Sequence, residues 1–452
     1  MLRARTPGAE QVKEKLLRYS HIIRIPIRMF NKLIQIFKIR DLRNNILFVL
    51  GLLVVFRIAA HIPLPGVNIE NLKNFFGQNQ ILGLLNVLSG GAMENFSIVA
   101  LGVGPYITSS IIFQLLVMII PRLEALSKEG EAGYHKINQY TRLLTPPLAV
   151  LQSYGMITLL QRSGQQIIGQ LDTWQWVTTI SIMTAGTMLL MWLGELMTEK
   201  KVGNGISLII FAGIVTGLPS MVQKTIATFD PAQIFNLVIF AALALITVAG
   251  VVYITEAQRN IPVSYAKRVR GTRMYGGMET FLPLRVNQAG MIPIIFAISI
   301  IMFPPLVAQM LQYIKKAWIT NSSQFIIDLF QNQIFYAIAY FSLVVVFTYF
   351  YTSVIFRPHQ IAENLQKQGG FIPGLRPGRS TAEYLGGVST RILLAGSLFL
   401  GLIAVLPLIT QGALGIAALT VGGASLLIVV SVVIETVRQI ESQLTMREYE
   451  RL

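Results

Sequence analysis

Residues 81–116 read ILGLLNVLSGGAMENFSIVALGVGPYITSSIIFQLL, and two apolar runs of different length meet in them. The first, Ile81 to Leu88, follows helical periodicity but falls far short of the roughly 20 residues a helix needs to cross a bilayer. It breaks on Gly90 and Gly91. The second, from Ser97 onward, is long enough to span. A short apolar helix just before a span has two readings. It is either a re-entrant piece enclosed by protein or a water-filled cavity, or a helix lying in the membrane interface. The rest of the chain has to choose between them.

Hydrophobic residues make up 53% of the 452-residue chain and charged residues only 13%, a balance foreign to soluble domains. It predicts an all-α polytopic membrane protein. Apolar windows bounded by charge, proline or glycine fall near residues 45–62, 97–120, 138–161, 175–197 and 204–222, then 233–255, 288–311, 334–356, 391–410 and 415–436. Ten spans put both termini on one side. Of the 37 lysines and arginines, Lys73, Arg162, Lys224, Lys315 and Lys316 lie on the opposite side, Arg57 and Arg142 lie inside spans, and the remaining 30 share the side of the termini. By the positive-inside rule that side is cytoplasmic. Much of the net charge of +16 is therefore topological rather than a footprint of nucleic acid.

Five is an odd number, so a second set of five spans begins on the opposite side and runs inverted relative to the first. The resulting division is a basic N-terminal extension over 1–44, a first half over 45–222 that includes the segment 81–97, a second half over 223–436 with cytoplasmic loops 256–287 and 357–390, and a cytoplasmic tail over 437–452. Within the extension, Ile22 to Arg40 mixes isoleucine, leucine and phenylalanine with arginine and lysine. It reads either as a basic interfacial helix or as a solvated basic tail.

Several classes of function lack their residues. The chain has no cysteine, and its histidines, His21, His61, His135 and His359, are scattered without metal-ligand spacing. No metal, cofactor or catalytic residue is expected. Glu195 and Glu256 fall near span ends, so no carboxylate marks a coupling site at the bilayer centre. Arg57 and Arg142 are expected to pair with carbonyls or polar side chains as structural residues. A secondary transporter built on inverted halves is the alternative reading.

The segments SGGAMENFSIVALGVGPYITSSIIFQLL (89–116), GNGISLIIFAGIVTGLP (203–219), LPLRVNQAGMIPIIFA (282–297), GGFIPGLRPG (369–378) and GGASLLIVVSVVIETVRQIES (422–442) resemble, in order and separation, the signature segments of the bacterial SecY family. Its members are protein-conducting channels of the general secretory pathway. The resemblance runs from about Asp41 to Ser442, and the long extension before Asp41 departs from it.

That resemblance implies a pore between two five-helix halves, closed by a ring that would comprise Val103, Ile107, Ile206, Ile210, Ile295 and Ile428. An apolar constriction expels water and resists ions, while flexible aliphatic side chains part around a passing chain. The short helix becomes the plug, with Leu82, Leu84, Leu85, Val87 and Leu88 facing the ring and Gly90 and Gly91 as its hinge. Thr108, Ser109, Ser110 and Gln114 would line a lateral gate between the second and seventh spans. Through it, signal sequences and membrane segments would reach lipid.

Two cytoplasmic loops are longer than orientation requires. RNIPVSYAKRVRGTRMYGG (259–277) alternates like a strand and then presents Lys267, Arg268, Arg270 and Arg273, as a hairpin with a basic tip would. FIPGLRPGRS (371–380) holds two Pro-Gly turns that stiffen the presentation of Arg376 and Arg379. The resemblance assigns Arg376 to coupling with the SecA motor. It further implies SecE-like and SecG-like subunits, the ribosome, signal sequences, nascent polypeptides and membrane lipids as partners, and the bacterial plasma membrane as the location.

Overall fold

The computed structural model describes residues 38–78, 86, 89–161, 167–169, 171–227, 234–265, 268–270, 273–275, 279–312, 316–414 and 422–450. The proposed helix over 22–40 falls almost wholly outside them. So do the five apolar plug residues Leu82, Leu84, Leu85, Val87 and Leu88, and Lys267 of the first basic loop.

The described helices are α1 (Arg40–Ala59), α2 (Ile69–Gln78), α3 (Gly104–Ile119), α4 (Pro121–Lys128), α5 (Glu131–Gln161), α6 (Thr173–Glu199), α7 (Gly205–Ala227), α8 (Ile234–Glu256), α9 (Ile292–Leu311), α10 (Ala317–Gln331), α11 (Gln333–Ile355), α12 (Pro358–Lys367), α13 (Arg379–Leu414) and α14 (Gly422–Glu450). All ten windows expected from the sequence overlap one of them. Among the described residues, α1, α5, α6, α11 with α12, and α13 are each long and apolar enough to cross a membrane. The pair α3 and α4, bent by 100° at Pro121, makes a sixth, and α7, α8 and α9 carry shorter apolar stretches. In hydrocarbon a helix satisfies its own backbone, which is why these runs fold as helices and not as open strands.

Their outward faces are apolar. Leu47, Leu50, Val54 and Ile58 of α1, and Phe235, Val238, Leu245 and Ile246 of α8, are exposed. Water would penalise such faces, whereas lipid does not.

Three boundaries differ from expectation. The second span does not begin its helix at residue 97: residues 97–103 form consecutive turns, and α3 starts at Gly104 with a proline in its first turn. The tail beyond residue 436 continues α14 to Glu450 without a break. On the face opposite the basic loops, α2 and α10 occupy what read as plain connections; Asn332, whose side chain accepts from the N–H groups of Ile334 and Phe335, separates α10 from α11.

Irregular backbone at residues 92–103 is tolerated because it is buried in protein. Leu64 and Ile98 donate backbone hydrogen bonds to Phe96 and Ile62, and Pro63 bridges Ser97. Met93, Phe96, Ala100 and Leu101 join Leu64, Leu72, Met156, Leu160 and Met183 in a local core.

On the basic face, β1 (Gln258–Tyr265) pairs antiparallel with β4 (Glu279–Arg285), and β2 (Arg268–Arg270) pairs with β3 (Arg273–Tyr275) in a second, smaller ladder. β5 (Gly370–Phe371) adds to the other edge of β1 in the register Ser264 to Phe371, giving the order β4-β1-β5. Both basic loops thus share one sheet. Ile261, Val263, Leu284, Ile372, Leu385 and Val388 form its apolar underside.

Candidate functional site

Among the described residues, the two sets of five helices meet mainly where α3 packs on α9, α5 on α9, and α7 on α14. Val103 caps the start of α3 and accepts the backbone bond of Ile107 one turn on. Ile206 and Ile210 lie one turn apart on α7. Ile295 comes from α9 and Ile428 from α14.

All six side chains named from the sequence fall in one cluster. Val103, Ile107, Ile210, Ile295 and Ile428 are between 0% and 6% exposed, and Ile206, partly buried, packs against the same larger cluster. Five of the six are thus closed off from solvent. The six side chains themselves offer no hydrogen-bonding group, so a file of water passing between them would lose bonds it could not replace.

The predicted hinge has a different setting. Gly90 and Gly91 have φ of +74° and +78°, which side-chain-bearing residues rarely adopt. A Cβ on Gly90 would lie 2.8 Å from Cα of Gly213 on α7 and 2.9 Å from the Phe56 ring on α1. Gly90 is seated between two spans. Nη1 of Arg57 donates to its carbonyl at 2.8 Å, the kind of partner expected of an arginine within a span. The other intramembrane arginine, Arg142, has its Nε 2.5 Å from Oε1 of Glu195, an ionic contact rather than an aligned hydrogen bond.

Of the gate residues, Ser109 donates to the Thr141 carbonyl of α5 at 2.7 Å. Thr108 donates to Gly104, and Gln114 to Ser110, within α3 itself. Among the described residues none of these bonds reaches α9, although α3 and α9 touch. Weak polar bonds therefore tie α3 inward and to α5. Its seam with α9 is the less bonded one.

In the loops, Arg268 and Arg270 stand on β2 and Arg273 on β3, with Arg270 paired opposite Arg273. Arg376 and Arg379 are exposed. Gly374 and Gly378 take φ of +84° and +100°, as the third position of type II turns requires. Leu375 closes the first turn by donating to Ile372, and Thr381 Oγ1 donates to the Arg376 carbonyl at 2.9 Å. Arg379 is not free of partners: it pairs with Glu383 at 2.9 Å.

Sequence reasoning missed the Gly90 seat on Gly213 and the joining of both loops by β5. The only signal for the first was a Gly-Gly step opposite a glycine-bearing apolar helix. A two-residue strand leaves no pattern of its own.

Helices long and apolar enough to cross a membrane, with two halves sharing one buried hydrophobic cluster, define a polytopic membrane protein. Residues 97–437 match the SecY family model. Curated relatives named protein translocase subunit SecY are 45% identical in Streptomyces galbus and 46% in Corynebacterium glutamicum, each match covering 93% of this chain and 99% of the relative. The fold is also that of a solved protein-conducting channel (TM-score 0.60, 18% identity, 87% of this chain and 90% of the other) and of Sec61 in a canine ribosome-channel complex (TM-score 0.56, 16% identity, 87% and 90%). The chain belongs to the SecY family, the protein-conducting channel subunits of protein translocases. The transporter alternative finds no support among these relatives.

Proposed function

We propose that unfolded polypeptide passes through the waist formed by Val103, Ile107, Ile206, Ile210, Ile295 and Ile428. The chain is a passive channel and not an enzyme. The observation that carries this reading is that six aliphatic side chains, from helices of both halves, fall in one buried hydrophobic cluster. Aliphatic side chains seal without selecting, because they hold no charge or hydrogen bond that would retain one sequence over another.

Residues 81–97 act as the plug on the non-cytoplasmic side. The seam between α3 and α9 is the lateral gate, with Thr108, Ser109, Ser110 and Gln114 along its α3 wall. Interhelical polar bonds of about 1 kcal/mol are weak enough to yield to an entering signal helix.

Energy comes from partners. The β2–β3 tip with Arg268, Arg270 and Arg273, and the turn with Arg376 and Arg379, suit ribosomal RNA phosphates or an acidic motor surface such as that of SecA. SecE-like and SecG-like subunits complete the complex, in the plasma membrane of a bacterium, with both termini cytoplasmic.

Since the chain has no native cysteine, single cysteines at positions 107 and 210 report without background. A secretory polypeptide stalled during export should cross-link at both, and not at the lipid-facing Leu245→Cys. Equal cross-linking at all three would remove the waist from the path.

A further inference from the structure

The turn around residues 86–94 carries more bonds than a free hinge would. Asn86 and Glu94 hold each other reciprocally, Asn86 Nδ2 donating to Glu94 Oε2 at 3.0 Å while the Glu94 N–H donates to Asn86 Oδ1 at 2.9 Å. The Gly91 N–H closes on the Asn86 carbonyl at 2.8 Å. Ser89 Oγ donates to the same carbonyl and accepts from the Met93 N–H. The position and direction of the Gly90 carbonyl are therefore set by its own loop.

That carbonyl receives Nη1 of Arg57 at 2.8 Å. A guanidinium within a span needs an acceptor, because hydrocarbon offers none and the group does not lose its charge. Here it reaches a backbone oxygen 33 residues along the chain, and no carboxylate is paired with it among the described residues. Beneath the same glycine, Gly213 leaves no room for a Cβ on either side, so the two backbones are in direct contact. Ile210, a waist residue, precedes Gly213 by one helical turn. The seat and the waist thus share one face of α7.

We propose that Arg57 is a positioning residue that latches the plug to the first span. Gly90 is the latch point and Gly213 its seat. Release of the plug breaks a charge-assisted hydrogen bond and separates two backbones, so movement of α1 or α7 and withdrawal of the plug are one event. The inference rests on the plug reading of residues 81–97. Because Met93 and Phe96 are buried in the local core, the part that moves ends between Gly90 and Met93, and the latch point moves with it.

The test is ion conductance of the full-length chain, purified with its co-assembling subunits and reconstituted in planar bilayers. The variants are Arg57→Met, Arg57→Lys, Gly90→Ala, a deletion of residues 81–88, and that deletion combined with Arg57→Met. Arg57→Met should raise the open fraction about tenfold or more, the order expected when a hydrogen bond to a charged group is lost. Arg57→Lys, which still donates to the same carbonyl, should restore most of the seal. Gly90→Ala should leak with Arg57 intact, since its methyl group meets Gly213 backbone. The deletion should leak, and Arg57→Met should add nothing to it. A tight deletion overturns the plug reading itself. A leaking deletion beside a tight Arg57→Met overturns the latch alone, as does any leak that Arg57→Met adds to the deletion. Should Arg57→Met fail to insert, a tight Gly90→Ala overturns the latch.

Discussion

Arg447, at the far end of α14, holds Asp41 at the start of α1 with Nη1 and Oδ2 2.5 Å apart, across 406 residues of chain. Beneath this pair Leu42 and Leu444 are buried together with Ile39, and Ile440 and Ile46 pack against them. Higher on α14, Gln443 donates to the Lys201 carbonyl, and Arg438 pairs with Glu256 at 2.7 Å at the foot of the β1–β4 hairpin. The end of α14 therefore straps α1 and the α6–α7 turn of the first half to the sheet of the second.

Packing should outweigh charge in this strap. The Asp41 side chain is 65% exposed and that of Arg447 38%, and exposed ion pairs contribute about 0–1 kcal/mol. Leu42 and Leu444 are 1% and 5% exposed, so Leu444→Ala should cost about 2–3 kcal/mol. Thermal unfolding of the detergent-solubilised chain should thus fall clearly for Leu444→Ala and hardly for Asp41→Asn. The opposite order would mean that the ion pair carries the strap.

The two basic loops should loosen together. β5 binds the edge of β1 by only two residues, but Leu385, fully buried, packs under both with Val263 and Ile372. Leu385→Ala should cost about 2–5 kcal/mol locally. Limited trypsin digestion should then cut faster both at Arg268–Arg273 and at Arg379, Arg376 being shielded from trypsin by the proline that follows it. Acceleration at one site alone would show that the loops are independent.

Spans were legible because apolar length and charge asymmetry are local properties of the chain. Residues 97–103 were not, since Ile98, Val99 and Leu101 have the composition of a helix. Their turns are fixed by burial against Met156 and Met183 and by the bridge to Pro63, which no local pattern encodes. The waist lay in between. Val103 with Ile107, and Ile206 with Ile210, show ordinary four-residue spacing, and only the family resemblance joined them to Ile295 and Ile428. Arg57 was readable as a residue needing a carbonyl, but the identity of Gly90 depended on a loop bent back by Asn86 and Glu94.

A polar group in the waist should open it to ions. Ile210 is fully buried, and asparagine there would leave an amide without partners, at about 1–3 kcal/mol against the closed state. That corresponds to a closed population reduced roughly 5- to 150-fold. Ile210→Asn should therefore leak in planar bilayers, while Ile210→Leu stays tight. A leak of the same size from Ile210→Leu would assign the effect to shape and not to wetting.

Arg376 offers a test of the loop that does not touch the fold. Its side chain is exposed, and its bond within the loop is made by the backbone carbonyl, to which Thr381 donates. Arg376→Glu therefore keeps the turn and changes stability by no more than about 0.5 kcal/mol. At the same time it reverses the charge a docking partner meets. If this arginine couples the channel to an ATP-driven motor, export into vesicles should stop while insertion and thermal stability remain normal. Gly378→Ala supplies the converse. With φ at +100° a side chain there is strained by about 1–2 kcal/mol, which should shift the loop while keeping the Arg376 charge. Loss of export in both variants would show that the motor needs both the charge and its presentation. Normal export by Arg376→Glu would take the motor off this loop.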